Sequence, residues 1–293
     1  LSNAIRIIDP THPITSGMTT WDQGWEIFDP LMSVHDVCGY NYQLKRAPSD
    51  HERIPSRIIM QTESFPRDAF YCWNMVQNNN YIIGDFVWTA IDYLGESGIG
   101  RYYYPGETPG EHWENDFFPW HGSYCGDIDL TGWRKPISHY RNSLWNNTEK
   151  LYMAVKEPNP DNGEIKETQW SVWPTWESWN WPGYEGKDID VEVYSKYPKV
   201  RLYLNNKLIG EKRLYEFGLS WRRLHIRMDI LQQAHKRAHG AVNAGLTVNF
   251  GAGCVQKNQR RQTKRVVFLR DIGVFVHIHF DANEILCFSD DFG

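Results

Sequence analysis

Two short stretches, Arg57–Glu63 and Tyr81–Trp88, are apolar enough to be fully buried strands, and each ends on a residue that a buried strand would not select. The first closes on the carboxylate of Glu63 ahead of Ser64, Phe65 and Pro66; the second delivers Trp88. Between them Pro66 suits a helix N-terminus, and Ala69, Phe70, Trp73 and Val76 share one helical face before Asn78, Asn79 and Asn80 stop it. The pattern predicts strand, helix, strand.

Upstream, Ile14–Gly17 and Asp36–Tyr42 have the same buried-strand character, and Leu1, Ala4, Ile5 and Ile8 form a helical stripe. The chain therefore reads as starting inside a helix, as a piece of something longer would. Four strands with return helices within about 90 residues match half of an eight-stranded parallel barrel, in which functional residues sit at the C-terminal ends of strands. Glu63 and Trp88 are both in that position. Alone, each has an ordinary explanation, a solvated loop carboxylate and a core aromatic; together they mark a site.

After Trp88 comes the glycine-punctuated Asp92–Gly98, then an insertion carrying Tyr102, Tyr103, Tyr104, Trp113, Phe117, Phe118 and Trp120, where Pro105, Pro109 and Pro119 oppose regular structure. It is a lid or a surface loop packed on its own aromatics. Ile137–Trp145 reads as the closing helix, with a domain boundary near Asn146 and Asn147. From there the period becomes two: Asp190–Tyr194 and Val200–Leu204 alternate, and Asn205 and Asn206 turn the chain into Lys207–Gly210. That is the pattern of an antiparallel sandwich. Trp170, Trp173, Trp176, Trp179 and Trp181 precede it, equally suited to gripping sugar or to packing a sandwich edge.

Residues 214–293 differ again, being basic, free of proline and holding one of the 14 tryptophans, Trp221. Arg222, Arg223, Lys257, Arg260, Arg261, Lys264 and Arg265 come without a nucleic-acid recognition motif, so no nucleic-acid partner is expected. A changed reading frame near residue 214 would explain the shift; so would a divergent sandwich extension using Val266–Leu269 and Val274–Phe280. The organisation is thus 1–147 half-barrel, 148–213 partial sandwich and 214–293 anomalous tail.

Composition adds three restrictions. No apolar run in the 293 residues reaches the length of a membrane span. Five cysteines without a C-x-x-C pair argue against a disulfide framework and a zinc site, and no metal or cofactor is implied. Aromatic residues at 15% favour carbohydrate, whose C–H faces pack on aromatic rings, although large cores use the same residues. His12, in the rigid loop Asp9–Pro13, reads as a local hydrogen-bonding residue.

The phrases Thr62-Glu63-Ser64-Phe65-Pro66, Gly84-Asp85-Phe86-Val87-Trp88-Thr89-Ala90-Ile91-Asp92-Tyr93-Leu94-Gly95-Glu96 and Asp9-Pro10-Thr11-His12-Pro13-Ile14-Thr15 resemble glycoside hydrolase family 2. The likeness is to its β-galactosidase-like members from gut Bacteroidetes, over roughly residues 1–212. It implies an α/β plus all-β chain: the C-terminal half of a TIM (β/α)8 barrel, strands five to eight, followed by an immunoglobulin-like β-sandwich over Val172–Arg213. It also implies Glu63 as catalytic nucleophile, with Tyr42 hydrogen-bonded to it. Asn41 would face the sugar and Trp88 would floor the terminal-sugar subsite. In a retaining glycosidase one carboxylate attacks the anomeric carbon while a second protonates the leaving oxygen. A donor such as the Tyr42 hydroxyl would favour the charged form of the nucleophile.

In the family the acid/base is a glutamate after an asparagine at the end of strand four, and no such pair precedes the first strand here; the acid/base is not in this chain. Asn283-Glu284 lies in the tail, and Glu96, Asp85 and Asp92 lack the family position. The expected substrate is a terminal β-galactoside. The region Cys125–Asp129 lacks the lysine that uronate-cleaving members use, while β-mannosidase stays open. The full-length enzyme would be periplasmic or extracellular and could oligomerise. The rival reading is a non-catalytic carbohydrate-binding remnant, since half a barrel leaves sheet edges unpaired.

Overall fold

The computed structural model describes residues 1–108, 122–178, 181–184, 187–204, 207–213, 223–228 and 276–279. Several features named above lie outside them: Pro109, Trp113, Phe117, Phe118, Pro119, Trp120, Trp179, Asn205, Asn206, Trp221, Arg222, the Lys257–Leu269 run, Asn283 and Glu284. The chain divides into two compact units, 1–145 with 160–172, and 146–159 with 173–293.

The first unit is built on a parallel sheet in the order β1 (Gly17–Met18), β2 (Cys38–Asn41), β3 (Ile59–Ser64), β4 (Ile82–Val87). Parallel neighbours cannot be joined by a tight turn, so each connection must cross back. Short helices do this: α2 (Asp29–Met32), α3 (Ala47–Arg53) and α4 (Ala69–Asn78), with α1 (Ser2–Ile8) before β1 and α5 (Pro136–Trp145) after β4. Three further elements, β5 (Tyr93–Leu94), β6 (Tyr102–Tyr103) and β7 (Gly122–Ser123), lie in the long connection from β4 to α5.

The strand–helix–strand unit forms, with its edges moved. β3 starts two residues later than predicted and runs through Ser64, so Glu63 is its penultimate residue. The first strand is shorter and later, Gly17–Met18 rather than Ile14–Gly17, because the Ile14 amide is taken by the Asp36 carboxylate at 2.8 Å. The buried face of α4 runs through Ala69 and Cys72, with Met75 and Val76 against the core; it is rotated from the predicted face, and Phe70 and Trp73 pack on each other at its margin. The stripe of α1 is not a core face, since no residue of that helix is buried.

Met18, Trp25, Cys38, Tyr40, Ile59 and Ile82 belong to the core beneath the sheet. A polar layer closes one side: Asp50 accepts from Arg53 and Arg57 at 2.5 Å each and from the Tyr40 hydroxyl, and both arginines reach Asp29. Arg141 of α5 binds Asp127 at 2.7 Å and lies 3.6 Å from Asp85 of β4. His12 bonds Asp9 within its own loop, at 2.6 Å.

Residues 160–172 belong to this unit, and β9 (Lys166–Glu167) pairs with β6 inside the insertion read as irregular. The hydroxyl of Thr168 donates to the Arg101 carbonyl, and Arg67 donates to the carbonyl of Thr168 at 2.6 Å.

The second unit contains two antiparallel sheets. One has the order β10 (Thr175–Trp176), β8 (Leu151–Lys156), β11 (Ile189–Ser195), β14 (Arg223–Met228); the other is β13 (Lys207–Arg213), β12 (Lys199–Leu204), β15 (Val276–His279). Met153, Val155, Val191 and Val193 bury its interior. Trp173 and Trp176 donate to the Glu157 carbonyl and carboxylate at 2.9 and 2.7 Å, while Trp170 lies in the first unit, so the tryptophan cluster is divided. Both described pieces of 214–293 are strands, β14 on β11 and β15 on β12. Among the described residues no helix is long and apolar enough to cross a membrane, no group of side chains is arranged to hold a metal ion, and Cys38, Cys72 and Cys125 are buried free thiols.

Candidate active site

The C-terminal ends of β2, β3 and β4 bring Asn41, Tyr42, Glu63 and Trp88 to one edge of the sheet. The β2–β3 register slips between Tyr40 and Asn41, which sets Asn41 opposite Glu63 instead of Thr62. A slip of this kind re-aims the side chains that follow it. The Tyr42 amide then donates to the Glu63 carbonyl at 2.7 Å, with Tyr42 at φ 59°, the left-handed region that a non-glycine residue enters only when its surroundings hold it there.

Three aromatic contacts hold Tyr42. Its ring lies 4.5 Å from that of Phe65 and edge-on to Trp170 at 5.4 Å, and Trp21 is stacked beyond it at 6.2 Å. Trp170 also donates its indole N–H to the Tyr42 hydroxyl at 3.0 Å. Burial pushes the phenol far above its ordinary pKa; the Trp170 bond works against that rise, and a side-chain hydrogen bond with the Glu63 carboxylate reinforces it. The phenol keeps its proton, so Tyr42 is the donor toward Glu63.

Asn41 is half-buried and accepts from the Thr62 hydroxyl at 2.6 Å; a side chain at Gly17 would collide with its amide. Trp88 continues β4, its amide donating to the Ser64 carbonyl at 3.0 Å, and the Trp88–Thr89 peptide is cis. Its indole N–H donates to the Tyr93 hydroxyl at 3.2 Å, and that hydroxyl in turn donates to Glu96. Burial and the Glu96 carboxylate push the Tyr93 phenol up to about 12.

The loops beneath Trp88 are fixed by one buried ion pair. Asp92 accepts from Lys135 and from the Gly126 amide, both at 2.7 Å, and Lys135 also donates to the Tyr124 carbonyl at 2.9 Å. Burial raises the Asp92 pKa and lowers that of Lys135, each opposed by the other partner. The arrangement seats Ile99 and Cys125 under Tyr42, Phe65, Trp88 and Tyr93. The three carboxylates named with the missing acid are engaged elsewhere: Asp85 with Arg141, Asp92 with Lys135, Glu96 with Tyr93.

Sequence reasoning left three parts of this cluster unassigned. Trp170 stands among tryptophans equally suited to gripping sugar or to packing a sandwich edge, Trp21 carries no assignment, and Phe65 reads only as a residue after the strand. The turn-forming run Thr19-Thr20-Trp21-Asp22-Gln23-Gly24 after a short strand is the signal available for Trp21.

A parallel sheet thus carries a tyrosine, a carboxylate and a tryptophan at successive strand ends, and comparison with known proteins shows what the chain is related to. The chain is related in sequence and fold to part of a glycoside hydrolase family 2 protein, as the motifs around Glu63 and Trp88 imply. A curated β-galactosidase of Bacteroides ovatus is 25% identical, the match covering 76% of this chain and 27% of that protein. A solved family 2 glycosyl hydrolase of Bacteroides cellulosilyticus is 33% identical, with a TM-score of 0.65, over 78% of this chain and 28% of that one. A second, from strain DSM 14838 of the same species, is 30% identical with a TM-score of 0.60, over 78% and 26%. A β-glucuronidase of Bacteroides uniformis, at 12% identity and a TM-score of 0.52, shares the fold. Residues 186–227 match a family described as a domain of unknown function, DUF4982. The chain spans about a quarter of the length of the relatives it matches.

Proposed function

We propose that this chain carries the nucleophile half of a retaining exo-β-glycosidase site, with a terminal β-galactoside as substrate. In this reading the four parallel strands are strands five to eight of a (β/α)8 barrel, and the second unit is an immunoglobulin-like sandwich. The observation that carries it is the meeting of Asn41, Tyr42 and Glu63 at the strand ends, where Asn41 lies opposite Glu63 and the Tyr42 amide donates to the Glu63 carbonyl at 2.7 Å, with Trp88 following the next strand. Glu63 attacks the anomeric carbon, Tyr42 orients the carboxylate by donating to it, Trp88 offers its ring to the terminal sugar and Asn41 meets the sugar's hydroxyls. The acid/base is not supplied by this chain, so ordinary glycosides would turn over negligibly on it alone.

The β-galactosidase relative favours galactose. No lysine lies within Cys125–Asp129, and the two cations that reach this loop, Lys135 and Arg141, are paired with Asp92 and Asp127, which disfavours a uronate there. Over 214–293 the family match running to residue 227 and the pairing of β14 favour a sandwich that continues to about that point, so a change of frame, if present, falls beyond it.

The test uses a leaving group that needs no protonation. With 2,4-dinitrophenyl 2-deoxy-2-fluoro-β-galactoside, a Glu63 oxygen bonds to the anomeric carbon while the aryl oxygen departs as phenolate with its electron pair. The 2-fluorosugar ester then persists. Mass spectrometry of the digested chain is expected to show one fluorogalactosyl group on the peptide containing Glu63, and none in Glu63→Gln. Sugar binding with no labelling would establish the carbohydrate-binding remnant instead.

A further inference from the structure

Trp21 is exposed to 58% although the chain on both sides of it is anchored. Met18 and Trp25 are in the core, and the buried hydroxyl of Thr20 accepts from the Gln23 amide at 3.2 Å, pinning the turn that presents the indole. Scattered exposed aromatics need no explanation. This one differs because it is continuous with the candidate site: its ring is stacked on Tyr42, 24° from parallel, and the Tyr42 amide donates to the Glu63 carbonyl at 2.7 Å.

Strand order decides which part of a ligand it could meet. Trp88 ends β4, one strand beyond Glu63; Trp21 follows β1, two strands to the other side. The two tryptophans therefore flank Glu63 from opposite sides of the strand order. We propose that Trp21 is a platform for the leaving-group side of the glycoside, taking the apolar face of an aryl group or of a second sugar ring. This rests on the glycosidase reading, in which Trp88 takes the terminal sugar.

The test compares labelling of Glu63 in the full chain by two reagents with the same sugar, the dinitrophenyl fluorogalactoside above and 2-deoxy-2-fluoro-β-galactosyl fluoride, whose leaving group is too small to reach Trp21. In Trp21→Ala the preference for the aryl reagent, read as the ratio of labelling efficiencies, is expected to fall about tenfold, and Trp21→Phe to recover most of it. A ratio unchanged in Trp21→Ala while Glu63 is still labelled overturns the platform and leaves the glycosidase reading standing. No labelling of Glu63 by either reagent in the unaltered chain overturns both. Because each variant is scored by a ratio, partial unfolding of Trp21→Ala cancels, and Trp21→Phe supplies an independent folded comparison.

Discussion

The indole N–H of Trp170 meets the hydroxyl of Tyr42 at 3.0 Å, across 128 residues of chain, with the two rings edge to face at 86°. Tyr42→Phe removes that acceptor and strands the buried indole N–H. Melting of the full chain is expected to show a loss of about 1–3 kcal/mol, and labelling of Glu63 by the fluorosugar reagents is expected to slow. Labelling at the wild-type rate would show that Tyr42 does not position the carboxylate.

Arg53 and Arg57 hold Asp29 down at about 2, the Arg53 hydrogen bond being the largest influence. A carboxylate depressed when folded contributes stability that is present above its unfolded pKa, near 4, and is lost as pH falls through the folded value. The melting temperature should drop between about pH 4 and pH 2 for this reason, and Asp29→Asn should flatten that part of the profile. Equal slopes in the two proteins would assign the acid sensitivity to other groups.

Lys135 and Asp92, 5% and 4% exposed, form a pair whose members are costly to leave alone. Lys135→Met is expected to destabilise by about 3–5 kcal/mol, because Asp92 keeps only the Gly126 amide. The double variant Lys135→Met/Asp92→Leu should recover much of that loss, since burying two apolar groups avoids the unpaired charge. Strict additivity in urea titrations would mean that the two charges are not coupled.

Gly100 and Gly106 both have positive φ, 77° and 93°, but they differ in space. A Cβ at Gly100 would lie 2.6 Å from the Cys125 amide nitrogen, whereas nothing stands within 4 Å of one at Gly106. Gly106→Ala should cost only the backbone term of about 1–2 kcal/mol, and Gly100→Ala about 1–3 kcal/mol more. Equal losses would show that the Ile99–Cys125 seat beneath Trp88 yields freely.

Much of the first unit was legible because its information is local. An uninterrupted apolar run, a proline at a helix start and three asparagines at its end specify strand, helix and strand without reference to distant residues, and Glu63 and Trp88 follow from position alone. Boundaries moved where a distant side chain intervened: Asp36 captured the Ile14 amide and delayed β1. The switch to period two after residue 150 likewise foretold the antiparallel sheets.

What the tertiary structure decided was which residues meet. Nothing near Trp170 shows that residues 160–172 return to the first unit, or that this tryptophan of five abuts Tyr42. The Asp29–Asp50–Arg53–Arg57 network and the Asp92–Lys135 pair join charges up to 28 and 43 residues apart in the chain. A register slip of one residue set Asn41 opposite Glu63. Such contacts depend on the closure of long loops and on the burial that follows, and neither leaves a periodic trace in sequence.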